Sequence, residues 1–242
     1  MKRNKWRFKT LRSLLTDHQL DSKVLEKIFT YRILKADSQR ERSVQMLLVH
    51  DGDDYTHLGD LKNIYEKDLQ KGMGESTVFI LLPPESSEER WHLYHSDGEL
   101  QEAYSRFLYE ELLPELHKRF DISRLGMLGD SLAGAVSLRI ALQEPDIWSH
   151  LLLQSAAFSE EDVRQVRASS RPLPWTVYQT VGTQEDVFVS PITNDCLYIL
   201  SRNRKVSSVL RAQVYDYQEF DHDHLWECWR KDLPNAIKIF YS

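Results

Sequence analysis

Short apolar runs alternate along the chain with longer stretches whose apolar positions recur every three or four residues. Val24–Leu34 and Val44–Val49 carry β-branched and aromatic residues at partly alternating positions. With the charged link Lys35–Arg42 between them, they predict an antiparallel hairpin at a sheet edge. Further strands are predicted at Val78–Leu82, which Pro83 and Pro84 stop, and at Leu125–Leu128, Leu151–Leu153, Thr176–Val181 and Val209–Tyr215. These runs are apolar enough for a sheet buried on both faces. Leu100–Arg119 places Tyr104, Phe107, Leu108, Leu112 and Leu116 along one helical face, and Pro114 inside it predicts a kink or break. Leu132–Leu142, Glu160–Ala168 and Ile192–Ser201 also read as helices. A last, short one runs from a cap at Asp232, with Pro234 in its first turn, to Ile239.

A hairpin followed by strand–helix alternation predicts an α/β fold, a mostly parallel central sheet with helices on both faces. No repeat or low-complexity linker interrupts the pattern, so residues 21–242 read as one domain behind a lead-in segment, 1–20. Apolar residues make up 41% of the 242, enough to bury a sizeable core. The formal charge of −6 argues against a protein built to grip nucleic acid. The basic stretch Met1–Thr10 is not followed by the apolar run of a secretory signal, and no run approaches the ~20 residues of a membrane helix. A cytoplasmic setting is therefore expected. Two cysteines, Cys196 and Cys228, are too few for a disulfide scaffold.

The most informative segment is Leu125–Ala135. It reads as a strand, then Gly129-Asp-Ser-Leu-Ala-Gly134, then a small-residue helix, the context of a nucleophile elbow centred on Ser131. Gly129 and Ala133 flank the serine at two residues on either side, where backbones come close. The turn places Ser131 at a helix N-terminus, and the Leu132 N–H becomes a candidate donor to developing negative charge. The competing reading is a serine that simply caps a helix.

A hydroxyl needs a general base, and histidine suits neutral pH. Of nine histidines, His222 and His224 follow the last predicted strand, where open α/β sheets place their sites. His224 is the better base, because Trp226 and Trp229 would pin the following helix and fix its ring. His222 then falls in a supporting or gating position. The acid that orients the base should follow a strand between 131 and 224. Gly182-Thr-Gln-Glu-Asp186 offers Glu185 first and Asp186 second.

Taken in order, His50–Tyr55, Arg90 with Tyr94, Glu110–Glu115, Gly129–Gly134, Gly182–Glu185 and His224–Arg230 resemble the putative esterase family of α/β hydrolases, the group of esterase D and the enterochelin esterases. The resemblance runs from Val44 to Tyr241. It implies an α/β-hydrolase fold, a Ser131–Glu185–His224 triad and a second oxyanion N–H from Asp53. It also implies a small ester or siderophore-type lactone as substrate, with no metal or organic cofactor. Two departures stand out: Ala133 replaces a glycine, and His222-Asp223 replaces a glycine pair.

Two other readings compete. Gly129–Leu132 spells the block of the GDSL esterases, and Asp221 with His224 matches their acid–base spacing, although the serine here is central rather than near the first strand. The other is a hydrolase fold that has lost activity and binds a ligand. Finally, Asp53, Asp54, Asp130, Asp221 and Asp223 predict a negatively charged site entrance that disfavours anionic substrates.

Overall fold

The computed structural model describes residues 12–37, 43–169 and 171–242. The basic segment Met1–Thr10 and part of the charged link, 38–42, lie outside the described residues. Eight strands form one sheet: β1 (Ser13–Ser22), β2 (Lys27–Ala36), β3 (Val44–His50), β4 (Thr77–Leu82), β5 (Ile122–Asp130), β6 (His150–Gln154), β7 (Leu173–Gly182) and β8 (Ala212–Phe220). Their spatial order is β1-β2-β4-β3-β5-β6-β7-β8. β1–β2 and β2–β4 pair antiparallel, and every other neighbour is parallel. The helices are α1 (Gly52–His57), α2 (Leu61–Gln70), α3 (Ser87–Tyr94), α4 (Gln101–Phe107), α5 (Leu113–Arg119), α6 (Ser131–Gln143), α7 (Glu160–Ala168), α8 (Ile199–Val209) and α9 (Trp226–Tyr241).

The sheet separates two apolar layers because side chains alternate along each strand. On β3, Met46 and Leu48 join the layer under α4, α6 and α7, while Leu47 and Val49 join the layer under α1, α2 and α9. β4 is buried along its whole length. The central strands are thus apolar on both faces, as expected of a parallel sheet covered by helices.

Several elements differ from the sequence expectation. The edge hairpin joins β1 to β2, not Val24–Leu34 to Val44–Val49, and β3 lies inside the sheet between β4 and β5. The segment Ser13–Leu20, expected in the lead-in, is therefore most of an edge strand. Val24 and Leu25 lie in its turn and pack their side chains on the core, which gives the turn the look of a strand. Pro114 opens α5 directly after a π-helical turn, Leu108–Leu112. That turn absorbs the missing N–H by widening the helix rather than breaking it.

Ile192–Leu197 is not helical. The Ser190 Oγ accepts from the N–H groups of Ile192 and Thr193, and Val189 bridges Cys196, so the chain loops out and α8 starts at Ile199. Val209 ends α8, and the last strand begins only at Ala212. The last helix begins at Trp226, not Asp232. Asp232 is buried inside it, accepting from Tyr178 Oη at 2.6 Å and Gln154 Nε2 at 2.9 Å, so its carboxylate is unavailable as a cap.

Candidate active site

The strand order reverses at β3, where the chain first crosses to β4 and then returns to β5. Open α/β sheets form a crevice at the carboxyl ends of such strands, and the candidate residues gather there. β5 runs straight into α6, with Asp130 extended at φ −104° and Ser131 left-handed at φ 46°. A non-glycine residue in that region is strained by about 1–3 kcal/mol, which the surrounding packing must hold. Gly129 explains how: a Cβ there would lie 2.5 Å from the carbonyl of Ala133, so the strand end and the first helical turn are in contact. The turn lifts the Ser131 hydroxyl off the sheet.

The His224 Nε2 lies 2.8 Å from Ser131 Oγ, and its Nδ1 lies 2.9 Å from Glu185 Oε2. A carboxylate only accepts, so Nδ1 carries the hydrogen and Nε2 is left free to accept from the serine. The His224 side chain is 5% exposed, with Phe188 at 4.3 Å and the edge of Trp229 at 4.8 Å between ring centroids. Trp229 is thus the residue that holds the ring. Trp226 sits behind it, against Tyr55 and Trp229.

Glu185 is fully buried in the short turn after β7. Its second oxygen accepts from Ser155 Oγ at 2.6 Å and from the Gly182 N–H at 2.8 Å. Gly182 has to be glycine here, since a Cβ would lie 2.2 Å from the His222 carbonyl. Ser155, left-handed at φ 48° beyond the end of β6, also accepts from Trp229 Nε1 at 2.9 Å. It therefore ties Glu185 to the residue that packs His224. Sequence reasoning missed Ser155 and Phe188. The signal for Ser155 was a small polar residue just past an apolar strand.

The other candidates fall elsewhere. Asp186 turns away from His224 and accepts from the N–H of Ser201 at 2.8 Å and from its hydroxyl, on the first turn of α8. His222 sits over the acid, its Nδ1 3.7 Å from Glu185 Oε1 and 2.9 Å from the Asp223 carbonyl. Asp221 accepts from Gln184 Nε2 at 2.9 Å and not from His224, which removes the GDSL spacing as an acid–base pair. Among the described residues no group of three or more His, Cys, Asp or Glu side chains could hold a metal ion, and no helix is long and apolar enough to cross a membrane. Leu132 and Asp53 are each the second residue of a helix, α6 and α1, where amides have no carbonyl partner within the helix.

The expected negative entrance is offset in part. Asp53 pairs with Arg32, and Asp51 accepts from Arg90 Nε at 2.7 Å. Tyr94 is buried, its hydroxyl donating to the Leu82 carbonyl, so Arg90 and Tyr94 brace the end of β3. Burial first, then the charge of Asp51, push the Asp130 carboxyl well above its ordinary value. Burial also raises Asp54.

This sheet, with a serine raised at the end of its fifth strand and a histidine and a carboxylate facing it, defines an α/β-hydrolase fold. The sequence of residues 22–240 matches the family model described as putative esterase, and the chain belongs to that family, a carboxylic ester hydrolase. It is similar to the uncharacterized protein YjcH of Bacillus subtilis (strain 168), 29% identical over 199 residues covering 80% of this chain and 82% of that one. Among solved structures, a ferulic acid esterase superposes with a TM-score of 0.70 at 16% identity, covering 96% of this chain and 98% of that chain. The ferric enterobactin esterase of Salmonella typhimurium superposes with a TM-score of 0.77 at 16% identity over 94% of this chain. The match spans 58% of that longer enzyme.

Proposed function

We propose that the protein hydrolyses carboxylic esters by acyl transfer through Ser131, His224 and Glu185. Ser131 Oγ attacks the ester carbonyl while its proton passes to His224 Nε2. Glu185 holds the Nδ1–H and stabilises the imidazolium that forms. The carbonyl oxygen, now an oxyanion, takes hydrogen bonds from the N–H groups of Leu132 and Asp53. Collapse of the tetrahedral intermediate breaks the bond to the leaving alcohol, which carries away the proton from His224. Water then repeats the sequence and frees the acid. The chemistry needs no metal or organic cofactor.

The observation that carries this reading is the continuous line from Glu185 Oε2 through His224 to Ser131 Oγ, with both contacts under 3.0 Å. It is supported by the buried, three-sided hold on Glu185 and by the family. For the substrate, the Phe188 ring packed 4.3 Å from that of His224 favours an ester with an apolar or aromatic acyl group. Asp221 and Asp223, exposed in the loop that carries His224, weigh against an anionic acyl group. The two esterase folds compared above act, by their names, on ferulic acid esters and on ferric enterobactin, and both classes belong in the trial panel with p-nitrophenyl esters of rising acyl length.

Ser131→Ala should lower kcat/KM for p-nitrophenyl esters to background, a loss on the order of 10⁶-fold, without moving the thermal midpoint by more than a few degrees. Mass spectrometry of the wild type quenched during turnover should find one acyl group on the peptide carrying Ser131. Equal turnover by the two proteins would overturn the reading.

A further inference from the structure

Next to Ser131 the structure holds a group that the acyl-transfer cycle does not use. Asp130 is only 2% exposed, and its Oδ1 has no hydrogen-bond partner among the described residues. Continuing the register Val49↔Leu128 by two residues puts Asp51 beside it, on the adjacent parallel strand end. Asp51 is also 2% exposed, and its Oδ1 is likewise without a partner. One cation serves both: Arg90 donates Nε and Nη2 to Asp51 Oδ2, at 2.7 and 2.6 Å. Two buried carboxyl groups beside one guanidinium cannot both ionise cheaply, because the second charge has neither water nor a counter-ion.

We propose that Asp130 is a positioning residue that carries a proton in the working enzyme, leaving Asp51 and Arg90 as the charged pair. The proposal rests on the acyl-transfer reading, since its effect is exerted on the oxyanion formed at Ser131. Asp51 and Asp130 stand two residues before the two proposed oxyanion donors, Asp53 and Leu132. An ionised Asp130 would set a second negative charge against the one that develops in the transition state. The proton keeps that end of the crevice near neutral.

The groups facing Asp130 agree. Asp51 at the end of β3 and Asp54 on α1 oppose its ionisation, Arg90 on α3 favours it, and Tyr55 on α1 is held neutral by burial and by the same carboxyl groups. On the β6 side the register neighbour is Gln154, which brings no charge. Burial is the largest influence, and it holds the Asp130 carboxyl far above the usual carboxylate range.

The test is an infrared titration of the ¹³C-aspartate-labelled protein beside a pH–rate profile with p-nitrophenyl acetate. The protonated-carboxyl band should be present at pH 7 in the wild type and in Ser131→Ala, and absent from Asp130→Asn. It should disappear at the same alkaline inflection at which wild-type kcat falls about tenfold. Asp130→Asn cannot ionise. It should lose no more than about threefold at pH 7 and lack the alkaline limb, so that it overtakes the wild type above the inflection. Asp51→Asn removes the opposing charge and should move the inflection to lower pH.

No band at pH 7, or an alkaline limb unchanged in Asp130→Asn, would overturn the proposal. If Asp130→Asn does not fold, the labelled wild type and Asp51→Asn decide it: an inflection that Asp51→Asn leaves in place counts against the shared burial of the pair. Full activity in Ser131→Ala would instead remove the acyl-transfer reading, and the band would still report whether Asp130 holds a proton.

Discussion

Two flanks of one crevice bury carboxyl groups in opposite ways. On the β7–β8 side, Glu185 is fully buried and has the Ser155 hydroxyl, the Gly182 amide and His224 around it. On the β3–β5 side, His50 Nε2, Asp51 Oδ1 and Asp130 Oδ1 are all buried without a hydrogen-bond partner among the described residues. A carboxyl group surrounded by donors is held in place. A group stripped of water without donors drifts to its neutral form. Identical side-chain chemistry therefore does different work on either side of Ser131, and the difference lies in the neighbours each strand end supplies.

The sharpest way to break this contrast is to disturb the satisfied flank. Glu185→Gln keeps the shape but can present an amide to Nδ1 and favour the wrong tautomer of His224. A loss of about 10³–10⁴-fold in kcat is expected, with KM for p-nitrophenyl acetate nearly constant. A loss below tenfold would mean that the hold on His224 comes from Trp229 and Phe188 instead.

The unsatisfied flank should register in stability before activity. Burial lowers the pKa of His50 to about 3. Because the unfolded chain takes up this proton near pH 6.5 and the folded chain does not, stability is lost as pH falls from about 6.5 towards 3. The slope approaches about 1.4 kcal/mol per pH unit. Urea unfolding midpoints between pH 7 and 5 should therefore fall more steeply in the wild type than in His50→Gln. Equal slopes would show that His50 titrates alike in the folded and the unfolded chain, against its lowered pKa.

The smallest effects separate near neighbours of the site from its members. Asp186→Ala should cost about 1 kcal/mol in unfolding free energy through the first turn of α8, while kcat changes by no more than about twofold. Asp221→Ala should likewise leave kcat within about twofold. A large loss in kcat from either would reassign the acid.

The elbow was legible because everything that makes it is contiguous: an apolar strand, Gly129, Ser131 and the small residues of α6. Glu185 and His224 were legible as candidates because each follows a strand within a few residues. Ser155 was not, since its part depends on β6 lying beside β7 and on α9 folding back so that Trp229 reaches it. β1 hid for a different reason. An edge strand such as Ser-Leu-Leu-Thr-Asp-His-Gln-Leu-Asp-Ser keeps polar residues among its apolar ones, and its turn carries Val24 and Leu25, which belong to the core. The start of α9 was misread because Asp232 looks like a cap until Tyr178 and Gln154 are seen to claim it.

Ser131 and His224 stand 93 residues apart in the chain. During translation, at about 5–20 residues per second, the imidazole leaves the ribosome roughly 5–20 s after the hydroxyl it serves. On the proposed acyl-transfer reading, the growing polypeptide carries Ser131 for that interval with no imidazole to take its proton. On the same reading, ester turnover waits until the segment after β8 has emerged and α9 has docked.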